Sequence, residues 1–167
     1  MADFVITEDN TDEFKRAFEE TLETALEEVG MHIEGEAKEE LSNTPKRIDT
    51  GLLRNSITYA ISGHPAAIRS YHASNGSKRD SSGKRYGSGS RSAGSVSFGT
   101  YTGTAPQDPD GKKAVYIGSN LDYSAYVHEG FTMPDGKKVA PNRYLKNAAQ
   151  KNMDQVKNKI ESRLKNA

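Results

Sequence analysis

Thr44-Pro45-Lys46-Arg47-Ile48-Asp49-Thr50-Gly51-Leu52-Leu53-Arg54-Asn55-Ser56-Ile57 is where this chain changes architecture. Pro45 has no backbone N–H to donate and ends the helix that precedes it. Asp49 or Thr50 offers a side-chain oxygen to the free N–H groups of a one-turn helix running through Asn55, and Gly51 permits the tight backbone. Leu53 falls on the inner side of that turn and is expected to be buried. Ser56-Ile57-Thr58-Tyr59-Ala60-Ile61 then reads as a strand, β-branched and aromatic.

Upstream, Asn10-Thr11-Asp12-Glu13 has the form of a capping box. Phe14, Phe18, Leu22, Leu26, Val29, Ile33, Ala37 and Leu41 follow at steps of four and three, which predicts a helix of about eight turns. At ~1.5 Å per residue this helix is roughly 42 Å long, more than a small domain is wide. Gly30 and Gly35 each cost it about 1 kcal/mol relative to alanine, so a bend is expected there.

Downstream, a shorter strand is expected around Ala67-Ile68. From Ser74 to Ser95, 13 of 22 residues are Ser or Gly, which cannot supply a packed core. Lys78, Arg79, Lys84, Arg85 and Arg91 face only Asp80 in this segment, so it reads as a flexible basic insertion. Strands resume at Val96–Tyr101 and Ala114–Gly118. Pro-Asp-Gly-Lys-Lys occurs at 109–113 and again at 134–138, two similar turns rather than a domain repeat. Tyr123 to Gly130 predicts a short helix with Tyr123, Tyr126 and Val127 on one face and Gly130 as its C-terminal cap. Pro141 is expected to open a last helix carrying Leu145, Ala149, Met153, Val156, Ile160 and Leu164. The order gives an α+β fold: a long N-terminal helix, a small mostly antiparallel sheet with an inserted loop, a short helix and a C-terminal helix. A single domain is expected over residues 1–167, with the insertion at 74–95.

Hydrophobic residues make up 34% of the 167, and mean hydropathy is −0.80, so the core is expected to be thin or completed by neighbouring subunits. No cysteine is present, which excludes disulfides and thiolate metal sites. The first residues carry no basic or apolar signal-peptide region, and no apolar run approaches the ~18 residues of a membrane span. A soluble protein without membrane contact is expected. Zero net charge conceals segregation: residues 1–42 are net −11, residues 43–136 net +4 and residues 137–167 net +7. The two ends are expected to pair, through helices that lie close within or between subunits.

Three blocks, Thr44–Ile57, Asp122-Tyr123-Ser124-Ala125-Tyr126-Val127-His128-Glu129-Gly130 and Ala140-Pro141-Asn142-Arg143-Tyr144-Leu145, occur in an order and spacing that resembles the tail-completion (neck) proteins of long-tailed bacteriophages. The resemblance runs from about Phe14 to Leu164 and is dense only in these blocks. Ser124, between Tyr123 and Ala125, departs from the family's Tyr–Ala…Glu–Gly pattern. The resemblance implies a structural virion protein of the neck, made in the host cytoplasm, joining tail to head connector. It also implies a ring, commonly sixfold, around the DNA channel, in contact with other neck and tail proteins and without catalysis. Asp49, Thr50, Gly51, Leu53, Arg54, Tyr123, Tyr126, His128, Glu129, Gly130, Pro141, Tyr144 and Leu145 would then serve packing and partner contact.

No competing chemistry is well founded in the residues. His32, His64, His72 and His128 lack metal-ligand spacing, so no metal and no cofactor is expected. His128-Glu129 invites an acid–base reading, and a hydrolase there is the enzymatic alternative, but no nucleophile stands in a recognisable elbow. Gly76…Gly83-Lys84 has the wrong spacing for a phosphate loop. Asp49-Thr50-Gly51 follows a helix, where an aspartic protease needs an all-β body and a second carboxylate. The remaining alternative is a nonspecific nucleic-acid-binding module acting through the 78–91 loop, whose cations could meet a phosphate backbone. The acidic first helix of a neighbouring subunit is the closer partner for the same cations.

Overall fold

A computed structural model describes residues 10–43, 51–74 and 96–165. Helix α1 (Thr11–Ser42) is 32 residues long, about 48 Å. It starts without the expected capping box, because Asn10 makes no side-chain cap hydrogen bond. The Phe14 N–H donates to the Asn10 carbonyl instead. One stripe of α1, Ala25, Leu26, Val29, Ile33, Ala37 and Leu41, is buried. Residues 11–20 are exposed on every side, Phe14 and Phe18 included.

Glycine has a specific task on α1. A Cβ at Gly30 would stand 2.6 Å from Tyr59 Cγ, so the missing side chain is what lets the Tyr59 ring lie on the helix. At Gly35 a Cβ would meet nothing within 4 Å.

Helix α2 (Leu52–Ser56) follows Gly51, whose φ of +74° is the left-handed conformation that glycine adopts without penalty. Asp49 and Thr50, the expected cap, lie outside the described residues. Strand β1 (Thr58–Ile61) leaves α2 directly and pairs antiparallel with β4 (Val115–Gly118), with Tyr59 opposite Ile117. Between them runs a hairpin, β2 (Ser70–Ser74) with β3 (Val96–Thr100), pairing Ser70 with Thr100 and Ser74 with Val96. The strand expected near Ala67-Ile68 begins instead at Ser70. Residues 67 and 68 dock beside β1, where the Ala67 N–H donates to the Tyr59 carbonyl and the Ile68 N–H to Thr58 Oγ1. The basic residues of the insertion, Lys78, Arg79, Lys84, Arg85 and Arg91, lie outside the described residues.

Helix α3 (Ser124–Glu129) ends at Gly130 as expected. The second Pro-Asp-Gly-Lys-Lys turn joins two strands the sequence does not announce, β5 (Phe131–Thr132) and β6 (Lys138–Val139). The two turns are alike in backbone: Gly111 and Gly136 have φ of +71° and +82°.

The last helix differs from expectation in three ways. It starts at Tyr144, three residues past Pro141. It breaks at Asn152 into α4 (Tyr144–Lys151) and α5 (Met153–Lys165). Its buried positions are Tyr144, Ala148 and Asn152, while Met153, expected on the inner stripe, is exposed. The break has a local cause. Asn152 Nδ2 donates to the Ala148 carbonyl and to Glu36 Oε2 at 3.2 Å, so its amide is buried against α1 with partners on both helices.

The fold is α+β: a long helix, small antiparallel ladders and C-terminal helices. Its core joins Val29, Ile33, Ala37 and Leu41 of α1 to Leu53, Ile57, Tyr144 and Ala148. The segregated charges meet within the chain, since Arg163 pairs with Glu28 and Lys151 with Glu40. The Arg163 guanidinium holds the Glu28 carboxyl below its ordinary range, as Lys113 does for Glu23. The Lys151 and Arg163 ends of these pairs are more than half exposed, so each pair contributes at most about 1 kcal/mol and burial of the apolar stripe holds the helices together.

Candidate partner-contact surface

The left-handed turn at Gly51 aims Leu53 inward, where it is buried in the core cluster. Arg54, on the opposite side, is exposed and reaches Ser42 Oγ at 3.4 Å. On the same helix Asn55 Nδ2 donates to the His72 carbonyl at 2.8 Å, so α2 ties the end of α1 to β2.

Helix α3 divides its residues by face. Val127 packs on the core, whereas Tyr123 and Tyr126, expected beside it, stand 42% and 61% exposed. Tyr126 meets Phe131 edge-on at 6.4 Å, and Met133 is also exposed, so α3 and the β5–β6 hairpin share an outward aromatic face. Gly130 keeps that hairpin close. A Cβ there would stand 2.6 Å from the Val139 carbonyl oxygen and 2.8 Å from the Pro141 nitrogen, and φ is +77°.

His128 turns inward. Its Nδ1 lies 2.6 Å from Glu129 Oε1, and its ring meets Tyr144 edge-on at 5.3 Å. Its Nε2 is buried without a hydrogen-bond partner among the described residues. Tyr144 is 1% exposed, and burial pushes its hydroxyl up to about 12. Leu145 packs beside it, and Pro141 is exposed. The structure thus brings His128, Tyr144 and Leu145 together and leaves Tyr123, Tyr126, Glu129 and Pro141 on the surface. Among the described residues no group of three or more His, Cys, Asp or Glu could hold a metal ion. Among them, too, no helix is long and apolar enough to cross a membrane.

A group of positioning residues carries no motif. Tyr101 Oη donates to the Ser56 carbonyl and accepts from the Asn120 N–H at 3.1 Å. Asn120 Nδ2 donates to the Thr100 carbonyl at 2.8 Å, and Tyr71 Oη donates to Asn120 Oδ1. Ser56 and Ser119 hydroxyls lie 2.6 Å apart. This network locks the β2–β3 hairpin onto the α2–β1–β4 unit. Gly99 belongs to it too, because a Cβ there would come within 2.9 Å of Tyr71 Cε2 and nearer still to its hydroxyl end. The only sequence signal is two tyrosines and an asparagine in polar strand ends.

Comparison with known families places the chain among bacteriophage tail components. More particularly, residues 7–130 match the family model described as "Bacteriophage HK97-gp10, putative tail-component", and the chain belongs to this HK97-gp10-like family. The match takes in α1, the Gly51 turn and α3, and stops before the Pro141–Leu145 block. No curated protein and no solved structure gives a significant match. Membership makes the chain a component of the virion that meets other tail proteins.

Proposed function

We propose that this chain is a neck subunit, a single domain that joins the tail to the head connector as one copy in a closed ring, sixfold, around the DNA channel. Its role is structural and not catalytic. The observation that carries this reading is the overhang of α1. Residues 11–20 project past the domain with Phe14 69% and Phe18 40% exposed, stacked on each other at 6.3 Å. Large apolar side chains on a helix end that is exposed on every side among the described residues call for a further surface to cover them. The inward turn of His128 favours packing over acid–base work. Its ring meets Tyr144, a residue of the core, edge-on at 5.3 Å.

Light scattering after size exclusion, with electron microscopy of the same fractions, tests the ring. Closed particles of uniform subunit number are expected. Monomers at all concentrations would refute it. Replacing Lys78, Arg79, Lys84, Arg85 and Arg91 with Gln separates the partners of the basic loop. Loss of rings is expected if the loop clasps an acidic neighbour, and intact rings with weakened DNA retention point to the channel DNA.

A further inference from the structure

We propose that α5 is a strap, hinged at Asn152, that opens from α1 and closes on it as a unit while α4 stays in the core. The two C-terminal helices are held by different means. Helix α4 buries Tyr144 and Ala148, and Asn152 at its end is buried with its amide bonded to the Ala148 carbonyl and to Glu36. None of the 13 residues of α5 is buried. It packs mainly on α1, and its apolar side chains Val156, Ile160 and Leu164 are half-buried, the first two against the core cluster. A helix of about 13 residues is marginal in water by itself, so α5 is ordered by that partial burial, and such segments open before the core does.

The seat beneath α5 also has a polar flaw. Lys151 pairs with Glu40, Asn152 with Glu36 and Arg163 with Glu28, so α4 and α5 run antiparallel along one row of α1. His32 is one turn from Glu36 and one from Glu28, which sets it on that row under the stretch between Asn152 and Arg163. Its Nε2 is buried without a hydrogen-bond partner among the described residues. Leaving a buried polar nitrogen unpaired disfavours the closed strap, and opening returns it to water. At the far end Arg163 clasps Glu28 with two hydrogen bonds, from Nε and Nη2, but its side chain is 51% exposed and salt screens it.

Opening changes what α1 presents. The apolar stripe that is exposed at Phe14 and Phe18 continues along the helix to Leu26, Val29 and Ile33. Val29 and Ile33 belong to the cluster on which Val156 and Ile160 close. With the strap open, the exposed stripe extends from the overhang toward the middle of α1. With it closed, the stripe stops at the overhang. The strap thus sets how much of this face the helix offers, and it does so within one chain, whatever the subunit number of the assembly.

Hydrogen exchange of the full chain, followed by mass spectrometry on peptides from α1, α4 and α5, tests this. Amides of α5 should exchange together and at least about tenfold faster than those of α4. His32→Leu should slow exchange in α5 by about tenfold and leave α4 unchanged, because closure no longer buries an unpaired nitrogen. Arg163→Gln, or raised salt, should speed α5 instead. The chain has no cysteine, so Glu28→Cys/Arg163→Cys gives one defined cross-link. Oxidised, it should protect α5 along its whole length to the level of α4, and reduction should undo this. Exchange in α5 no faster than in α4 would overturn the strap. So would protection confined to the residues beside the link, which marks a helix that frays in place, and so would α5 rates that ignore His32→Leu.

Discussion

Replacing Gly30 by alanine sets two effects of known sign against each other. In an exposed helix the change stabilises by about 1 kcal/mol, because glycine loses more backbone entropy on folding. Here the new Cβ would stand 2.6 Å from Tyr59 Cγ, closer than real Cβ atoms approach, and Cγ is the base of the ring rather than a free end. Either β1 or the ring must move, and such overpacking costs about 1–3 kcal/mol. The clash should win, with a net loss of about 1 kcal/mol. Gly35 on the same helix is the internal control, because nothing lies within 4 Å of its Cβ position. Gly35→Ala should gain up to about 1 kcal/mol. For a chain of this size each kcal/mol moves Tm by roughly 2–4 °C, so the twins should separate by about 4–8 °C. Thermal unfolding at fixed protein concentration measures this, and repeating Gly30→Ala in a Tyr59→Ala background should turn the loss into a gain. Equal stabilisation by both glycine replacements would show that Tyr59 does not rest on α1.

Other perturbations follow the same logic. Leu53→Asp buries an unpaired carboxylate in the core and should prevent folding, while Gly51→Val strains a left-handed residue by about 1–2 kcal/mol and should be milder; soluble yield and urea midpoints rank them. Asn120→Ala should free the β2–β3 hairpin at a cost of about 1–3 kcal/mol, seen as faster hydrogen exchange in β2 and β3 with α1 unaffected. Tyr144 keeps its proton up to about 12, whereas the unfolded chain loses it near 10. The unfolded state therefore binds fewer protons in that window, and stability should fall as pH rises from 10 to 12. Tyr144→Phe should flatten the decline in denaturant titrations.

Much of the fold was legible because its signals are local. The α1 stripe repeats over eight turns, Pro45 marks the end of that helix, and the β1 and β4 runs are β-branched and aromatic. Strands β5 and β6 were not legible, since two-residue strands have no period to read. The break at Asn152 escaped for another reason: asparagine is unremarkable in a helix until a carboxylate such as Glu36 across the interface captures its amide. Gly30 read as a bend because its purpose, room for Tyr59, lies 29 positions away. The candidate surface was half legible. The blocks singled out α3, but periodicity put Tyr123, Tyr126 and Val127 on one face, and only the packing of His128 and Val127 against Tyr144 and the core turned both tyrosines outward. The Tyr71–Tyr101–Asn120 network joins separate segments and left no trace in the order of residues.

The central claim, that this chain joins tail to head, is tested most directly in the phage that encodes it. Lysates of a phage lacking the gene would be examined by electron microscopy and then mixed with the purified protein. Separate DNA-filled heads and full-length tails are expected, joining into infectious particles once the protein is added. Joined particles without it would contradict the account.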